Sequence, residues 1–170
     1  MNSALIPNMM TFLNLTLGVM SLIKGVQGDY ATAGLFILSA GMVDRYDGRI
    51  ARALGAESPL GKELDSLSDM VSFGVAPAIL AYFMFNLHEL GLMGLLPVIL
   101  FPIAGAYRLA RFNSCDFDGV FSGIPITLAG CLLAMLALLL RNNVDLRSLV
   151  VIMMIALSYL EVSTIKFKKF

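Results

Sequence analysis

VDRYDGRIARALGAESPLGKELDSLSD, residues 43–69, is a polar island in an apolar chain. Asp44 and Asp47 stand three apart, and Asp65 and Asp69 four apart. On helices, both spacings put the pair on one face. Gly48 and Arg52 continue the face of Asp44 in steps of four, and Gly61 leads a second stripe into Asp65 and Asp69. Between the stripes, Ala53 to Pro59 contains Gly55, Ser58 and Pro59, the composition of a loop. The pattern predicts two helices whose polar faces converge, the second beginning near Gly61.

Outside the island, charges are sparse. Met1–Ile23, Tyr30–Val43, Met70–Leu87, Leu90–Tyr107 and Gly119–Leu140 carry none, and Leu146–Ile165 carries only Arg147 and Glu161. The chain has 170 residues, 58% hydrophobic and 14% charged. Soluble domains average about 45–50% apolar and about 25% charged. A compact soluble fold of this length has no interior large enough for that apolar surface. The expected class is therefore an all-α integral membrane protein, one domain over residues 1–170, with six transmembrane helices. The second span is expected to run on from Val43 into the island. A Gly25–Asp29 turn separates the first two spans.

Lysine and arginine set the expected orientation. Arg45, Arg49, Arg52, Lys62, Arg108, Arg111, Lys166, Lys168 and Lys169 fall on the side of the termini, and Lys24, Arg141 and Arg147 on the other. Both termini and the polar island are thus expected in the cytoplasm. The Lys166–Phe170 tail reads as an anchor at the lipid headgroups. No basic residue precedes Lys24, which argues against a cleaved leader. A net charge of zero gives no field for nucleic acid. Cys115 and Cys131 offer neither a disulfide framework nor zinc spacing, and read as small packing residues.

Four carboxylates on converging faces repel one another. Protonation, pairing with Arg or Lys, or divalent cations can neutralise them, and carboxylates within membrane segments are costly and usually functional. All-oxygen ligands suit Mg²⁺ or Mn²⁺, and no His or Cys stands near to suggest zinc. Gly48 and Gly61 leave room for a phosphate, and Arg52 can pair with its oxygens. Together these features describe a diphosphate site.

The island resembles the signature of the CDP-alcohol phosphatidyltransferase family, D-x-x-D-G-x-x-A-R, a spacer, then G-x-x-x-D-x-x-x-D. Here the positions are Asp44, Asp47, Gly48, Ala51, Arg52, Gly61, Asp65 and Asp69. The resemblance implies six transmembrane helices, a homodimer, and an active site open to the cytoplasmic leaflet. It implies two divalent cations, with Asp44 and Asp65 shared between them, Asp47 completing one site and Asp69 the other. It implies that Gly48, Ala51, Arg52, Ser58 and Gly61 contact the CDP-lipid. Asn8 and Thr11, in a stretch similar to the family's first helix, join them. Asp69 is the expected general base for the incoming hydroxyl.

The remainder of the chain is similar to one branch of the family, the small bacterial and archaeal phosphatidylserine synthases. The likeness runs through Ile6–Asn8, Lys62–Leu67, Val71–Pro77, Arg108–Asn113 and Gly123–Ile126. It implies CDP-diacylglycerol and L-serine as substrates in a cell membrane. Arg108 and Arg111, three apart, are candidates to hold the serine carboxylate. The alternatives are the same chemistry on glycerol 3-phosphate or an inositol phosphate, or a divalent-cation transporter. Transport leaves Gly48, Arg52 and Gly61 without a purpose. His88 and Glu89 are expected in an outer loop, and Glu161 has no assigned role.

Overall fold

The computed structural model describes residues 5–53, 55, 58–114, 121–141, 144–163 and 166–167. Helix α1 spans Leu5–Val26 and α2 Tyr30–Ala53. Their connection is the turn expected from the sequence. Gly28 takes φ 81°, a left-handed conformation that glycine adopts without a steric penalty. Asp29 then opens α2, accepting a hydrogen bond from the Thr32 amide at 3.3 Å and facing Lys24 at 3.8 Å. The Thr32 hydrogen bond, helped by Lys24, holds the Asp29 carboxyl below its usual range.

Helix α3, Pro59–Asp69, begins two residues before Gly61, where the sequence placed it. Ser58 lies in extended conformation (φ −142°) and accepts the Gly61 amide at 3.0 Å, while Pro59 supplies the first helical residue. A π-helical turn, Met70–Val75, follows without a break and leads into α4, Ala76–Met84. Pro77 explains the wide turn. It has no N–H to give the Phe73 carbonyl, and its ring would strike that oxygen in a regular helix.

Beyond a 3₁₀ turn at Leu87–Leu90 come α5, Leu92–Ser114, then α6, Ile126–Leu140, and α7, Arg147–Val162. The fifth apolar segment becomes helical only at Ile126. Gly123, at φ 76°, and Pro125 hold the chain before it out of helical geometry. Two residues of the tail enter a strand pair. Lys166–Phe167 (β2) pairs antiparallel with Phe121–Ser122 (β1), Phe121 opposite Phe167. Those two residues supply backbone partners that a chain leaving the bundle otherwise takes from water.

The helices form a bundle in which α1 packs on α2, α2 on α6, and α5 on α7, with the α3–π–α4 rod in contact with α1, α5 and α6. Phe73, Phe85 and Phe101 fill its centre with Ile37, Leu80, Leu133 and Met154, all fully buried or nearly so. The outer faces of α1, α5 and α7 expose Met9, Phe12, Met93, Ile103, Ile152 and Tyr159, an apolar surface suited to lipid. Of the six segments expected to cross, three described ones are long and apolar enough: Asn8–Val26, Pro59–Met84 and Leu92–Ser114. The charged end of α2 and the short lengths of α6 and α7 separate the other three from them. The protein is a multi-pass helical membrane protein.

Two glycines let neighbours close on the π turn. A Cβ at Gly130 would lie 2.4 Å from the Phe73 carbonyl oxygen, and one at Gly18 2.4 Å from Ser72 Oγ. Between helices in lipid, where water drives no association, such close packing is a principal source of cohesion. Gly130→Ala must displace backbone and is expected to cost about 1–3 kcal/mol, the range for overpacking. Gly25→Ala, with nothing within 4 Å of the added carbon, serves as the neutral control. Thermal unfolding in detergent measures both, and equal midpoints would contradict the packing argument.

Candidate active site

The two acidic stripes meet. Asp44, late in α2, and Asp65 and Asp69, in α3, each present a carboxylate oxygen within 4.8 Å of the others. Asp69 is 7% exposed, while Asp44 and Asp65 are half-buried. Asp44 also lies beside Thr127, in the first turn of α6. Asp44 is in register with the buried Ile37 and Ala40 of α2, and Asp69 sits beside Ser68 on the buried face of α3, so neither can swing away without unpacking its helix. Asp65 Oδ1 is buried and has no hydrogen-bond partner among the described residues.

A neutral donor stands on the first helix. Asn14, 0% exposed, donates from Nδ2 to Asp69 Oδ1 at 3.0 Å. Its own Oδ1 is buried without a hydrogen-bond partner. Two further bonds fasten α1 to the same rod: Ser68 Oγ donates to the Thr11 carbonyl at 3.2 Å, and Ser72 Oγ to the Asn14 carbonyl at 3.0 Å. Sequence reasoning missed Asn14, Ser68 and Ser72. The signal for Asn14 was available, because Asn8, Thr11 and Asn14 recur every three residues on a predominantly apolar helix.

The other predicted residues divide into three groups. Asn8, Ser58 and Gly61 come together: a Cβ at Gly61 would lie 3.1 Å from Ser58 Oγ and 3.5 Å from Asn8 Oδ1. Thr11 is buried on the same face of α1, and Gly48 is half-buried one turn beyond Asp44. The side chains of Asp47, Ala51 and Arg52, all in α2, lie outside the described residues. Arg108 and Arg111, at the end of α5, differ from each other. Arg108 turns inward and is 9% exposed. Arg111 Nη1 donates to the Val162 carbonyl at 3.3 Å, and its guanidinium lies 5.9 Å from the Tyr107 ring centre. Asn113 ties this end of α5 to α3, donating to Ser66 Oγ at 3.0 Å and Glu63 Oε1 at 3.2 Å.

His88 sits in the 3₁₀ turn, edge-on to Tyr82, and its neighbour Glu89 accepts from Arg147 at 2.6 Å. Cys131 packs where a Cβ at Gly41 would come within 2.7 Å of its sulfur. Cys131 lies near enough to Asp44 and Asp69 to feel their charge. The acidic cluster itself has the chemistry of a divalent-cation site: several hard oxygens, one of them orphaned, mutual repulsion, and only the Asn14 amide and the Thr127 hydroxyl as neutral donors among the described residues. Mg²⁺ or Mn²⁺ fits that set; zinc, which favours nitrogen and sulfur, fits it poorly.

A family model described as CDP-alcohol phosphatidyltransferase matches residues 4–161. Three relatives carry the name CDP-diacylglycerol–serine O-phosphatidyltransferase. The Bacillus subtilis protein is 39% identical over 97% of this chain and 90% of its own length. The Helicobacter pylori protein is 35% identical over 98% and 73%, and the Methanocaldococcus jannaschii protein 37% over 97% and 74%.

Cation binding to a folded site stabilises it by mass action, by about 2.7 kcal/mol at a hundredfold excess over Kd. Mn²⁺ or Mg²⁺ is therefore expected to raise the thermal midpoint, and a chelator to reverse the rise. Asp65→Asn is expected to abolish it. An unchanged cation response in that variant would remove Asp65 from the site.

Proposed function

The chain belongs to the CDP-alcohol phosphatidyltransferase family, and we propose that it transfers the phosphatidyl group of CDP-diacylglycerol to the hydroxyl of L-serine, giving phosphatidylserine and CMP. The acceptor comes from the names of relatives that match nearly the whole chain. The observation that carries the chemistry is the closure of Asp44, Asp65 and Asp69 to within 4.8 Å.

Asp44, Asp47, Asp65 and Asp69 hold two divalent cations, Mg²⁺ or Mn²⁺. When bound, these neutralise the diphosphate and stabilise the charge that builds on the departing CMP. Asn8, Thr11, Gly48, Ala51, Ser58 and Gly61 receive the CDP portion, and Arg52 pairs with a phosphate oxygen. Asp69 takes the proton of the serine hydroxyl. The freed oxygen attacks the phosphorus that bears diacylglycerol, the bond to the bridging oxygen breaks, and CMP leaves with the electron pair. Asn14 holds Asp69 in place through its 3.0 Å hydrogen bond. Arg108 or Arg111 binds the serine carboxylate, and the inward turn of Arg108 favours it for that role.

We read residues 1–170 as one membrane domain of six spans that works as a homodimer in the cell membrane, with both termini and the site on the cytoplasmic side. Three spans meet the length and apolarity requirement directly. The shorter α6 and α7, with their flanking turns, cross a bilayer thinned locally around them. A cysteine placed at Gln27, in a variant without Cys115 and Cys131, is expected to react with an impermeant reagent from outside intact cells. Labelling only after lysis would reverse the orientation.

Purified protein given CDP-diacylglycerol and Mn²⁺ or Mg²⁺ is expected to release CMP only with L-serine, and to stop when a chelator is added. CMP release with another alcohol alone would overturn the acceptor. Asp69→Asn is expected to lower turnover by about 10²–10⁴-fold, the usual contribution of a general base. Near-normal turnover in folded Asp69→Asn protein would dismiss it as the base.

A further inference from the structure

The last helix buries a carboxyl group for which the family signature has no use. Glu161, near the C-terminal end of α7, is 0% exposed, and neither carboxylate oxygen has a hydrogen-bond partner among the described residues. A buried carboxyl without donors is among the least favourable arrangements in a bundle. It calls for a ligand that brings donors with it.

The surroundings define the ligand. Oε1 of Glu161 lies against α5, 3.7 Å from where a Cβ at Gly105 would stand. Arg108 follows one turn later on α5, and its Nε is also buried without a partner. The charged groups that act on Arg108 are Glu161 most strongly, then Arg111 and Asp69. Arg108 and Glu161 nevertheless form no direct ion pair among the described residues. A buried guanidinium nitrogen and a buried carboxyl, neither with a hydrogen-bond partner among the described residues, thus stand near each other, with Asp69 also within electrostatic reach of the guanidinium.

Glu161 cannot relieve itself by turning outward, because the end of α7 is held on two sides. Ile124 donates its amide to the Leu160 carbonyl at 3.1 Å, and Arg111 Nη1 donates to the Val162 carbonyl. Gly123, at φ 76°, lies so close that a Cβ there would come within 2.5 Å of the Glu161 carbonyl oxygen.

We infer that Glu161 receives the ammonium group of the acceptor while Arg108 holds its carboxylate, so that the pair selects a zwitterionic amino alcohol. This rests on the serine-transfer reading given above. Gripping both charged groups of serine at its α-carbon leaves the CH₂OH arm free to reach Asp69. The same Glu161 disfavours a phosphate-bearing alcohol, which would bring negative charge and no ammonium to a carboxyl without a donor of its own. Selectivity against glycerol 3-phosphate then arises from repulsion as well as from fit.

Glu161→Gln keeps the shape and removes the charge. Steady-state kinetics with CDP-diacylglycerol and Mn²⁺ should show the KM for L-serine rising by about tenfold to a hundredfold, the loss expected for a charge-assisted hydrogen bond. The KM for CDP-diacylglycerol should stay within about twofold, a tolerance small beside the tenfold that each 1.4 kcal/mol represents. With 3-hydroxypropionate, serine without its amine, wild type and variant should be equally poor. Glu161→Asp, which retains the charge, should recover part of the serine KM and provides the same comparison should the Gln variant fail to fold. A serine KM unchanged in Glu161→Gln, or equal rises in both substrates' KM, overturns the inference while leaving serine transfer intact. A wild type that ignores serine and uses glycerol 3-phosphate overturns both.

Discussion

Carboxylates brought together inside an apolar bundle are the constraint on which this structure depends. Asp44, Asp65 and Asp69 approach within 4.8 Å at the meeting of α2 and α3. Ionised carboxylates left to themselves would part, since mutual repulsion grows as water is excluded. The arrangement holds because Asp44 and Asp69 lie on the same helix faces that pack into the bundle. Asn14 contributes the one neutral donor described at Asp69, and serines 68 and 72 bolt α1 to the same rod. What remains unsatisfied is oxygen ligand capacity, which is what a divalent cation uses.

The π turn at Met70–Val75 links this site to the core. It begins at the residue after Asp69 and contains Phe73, at the centre of the hydrophobic cluster. Gly18 and Gly130 allow α1 and α6 to close on it from two sides. The turn widens because Pro77 can neither donate to the Phe73 carbonyl nor clear it in a regular helix. A proline eight residues past the last acidic residue therefore helps set the angle at which α3 delivers Asp65 and Asp69. Changes made in this apolar segment are felt at the carboxylates without touching them.

A second polar region forms where α5 meets α7. Arg108 lies within electrostatic reach of both Glu161 and Asp69, and it has a buried nitrogen without a partner among the described residues. The two regions carry different chemistry. One gathers negative charge and suits cations with a diphosphate. The other opposes a single cation to a single anion and suits a small zwitterion. Their adjacency is the geometric requirement for joining a phosphorus to a hydroxyl.

The sequence by itself determined the membrane class, the turn at Gly25–Asp29, the loop before Pro59, and the convergence of Asp44 with Asp65 and Asp69. Those features depend on local periodicity, turn chemistry and charge density, all of which are written along the chain. The π turn, the β1–β2 pair and the late start of α6 were not legible, because each depends on where distant backbone groups find partners. Asn14 sat on a readable face, yet its partner lies 55 residues away. Glu161 drew no firm role from its neighbours in the chain, which left it either paired with an arginine or lying at the membrane interface. Only the tertiary structure, by packing α7 against α5 and closing Gly123 over its end, decided that this carboxyl is buried opposite Arg108. Burial is a property of the whole bundle, and it is burial that turns an ordinary glutamate into a group in need of a ligand.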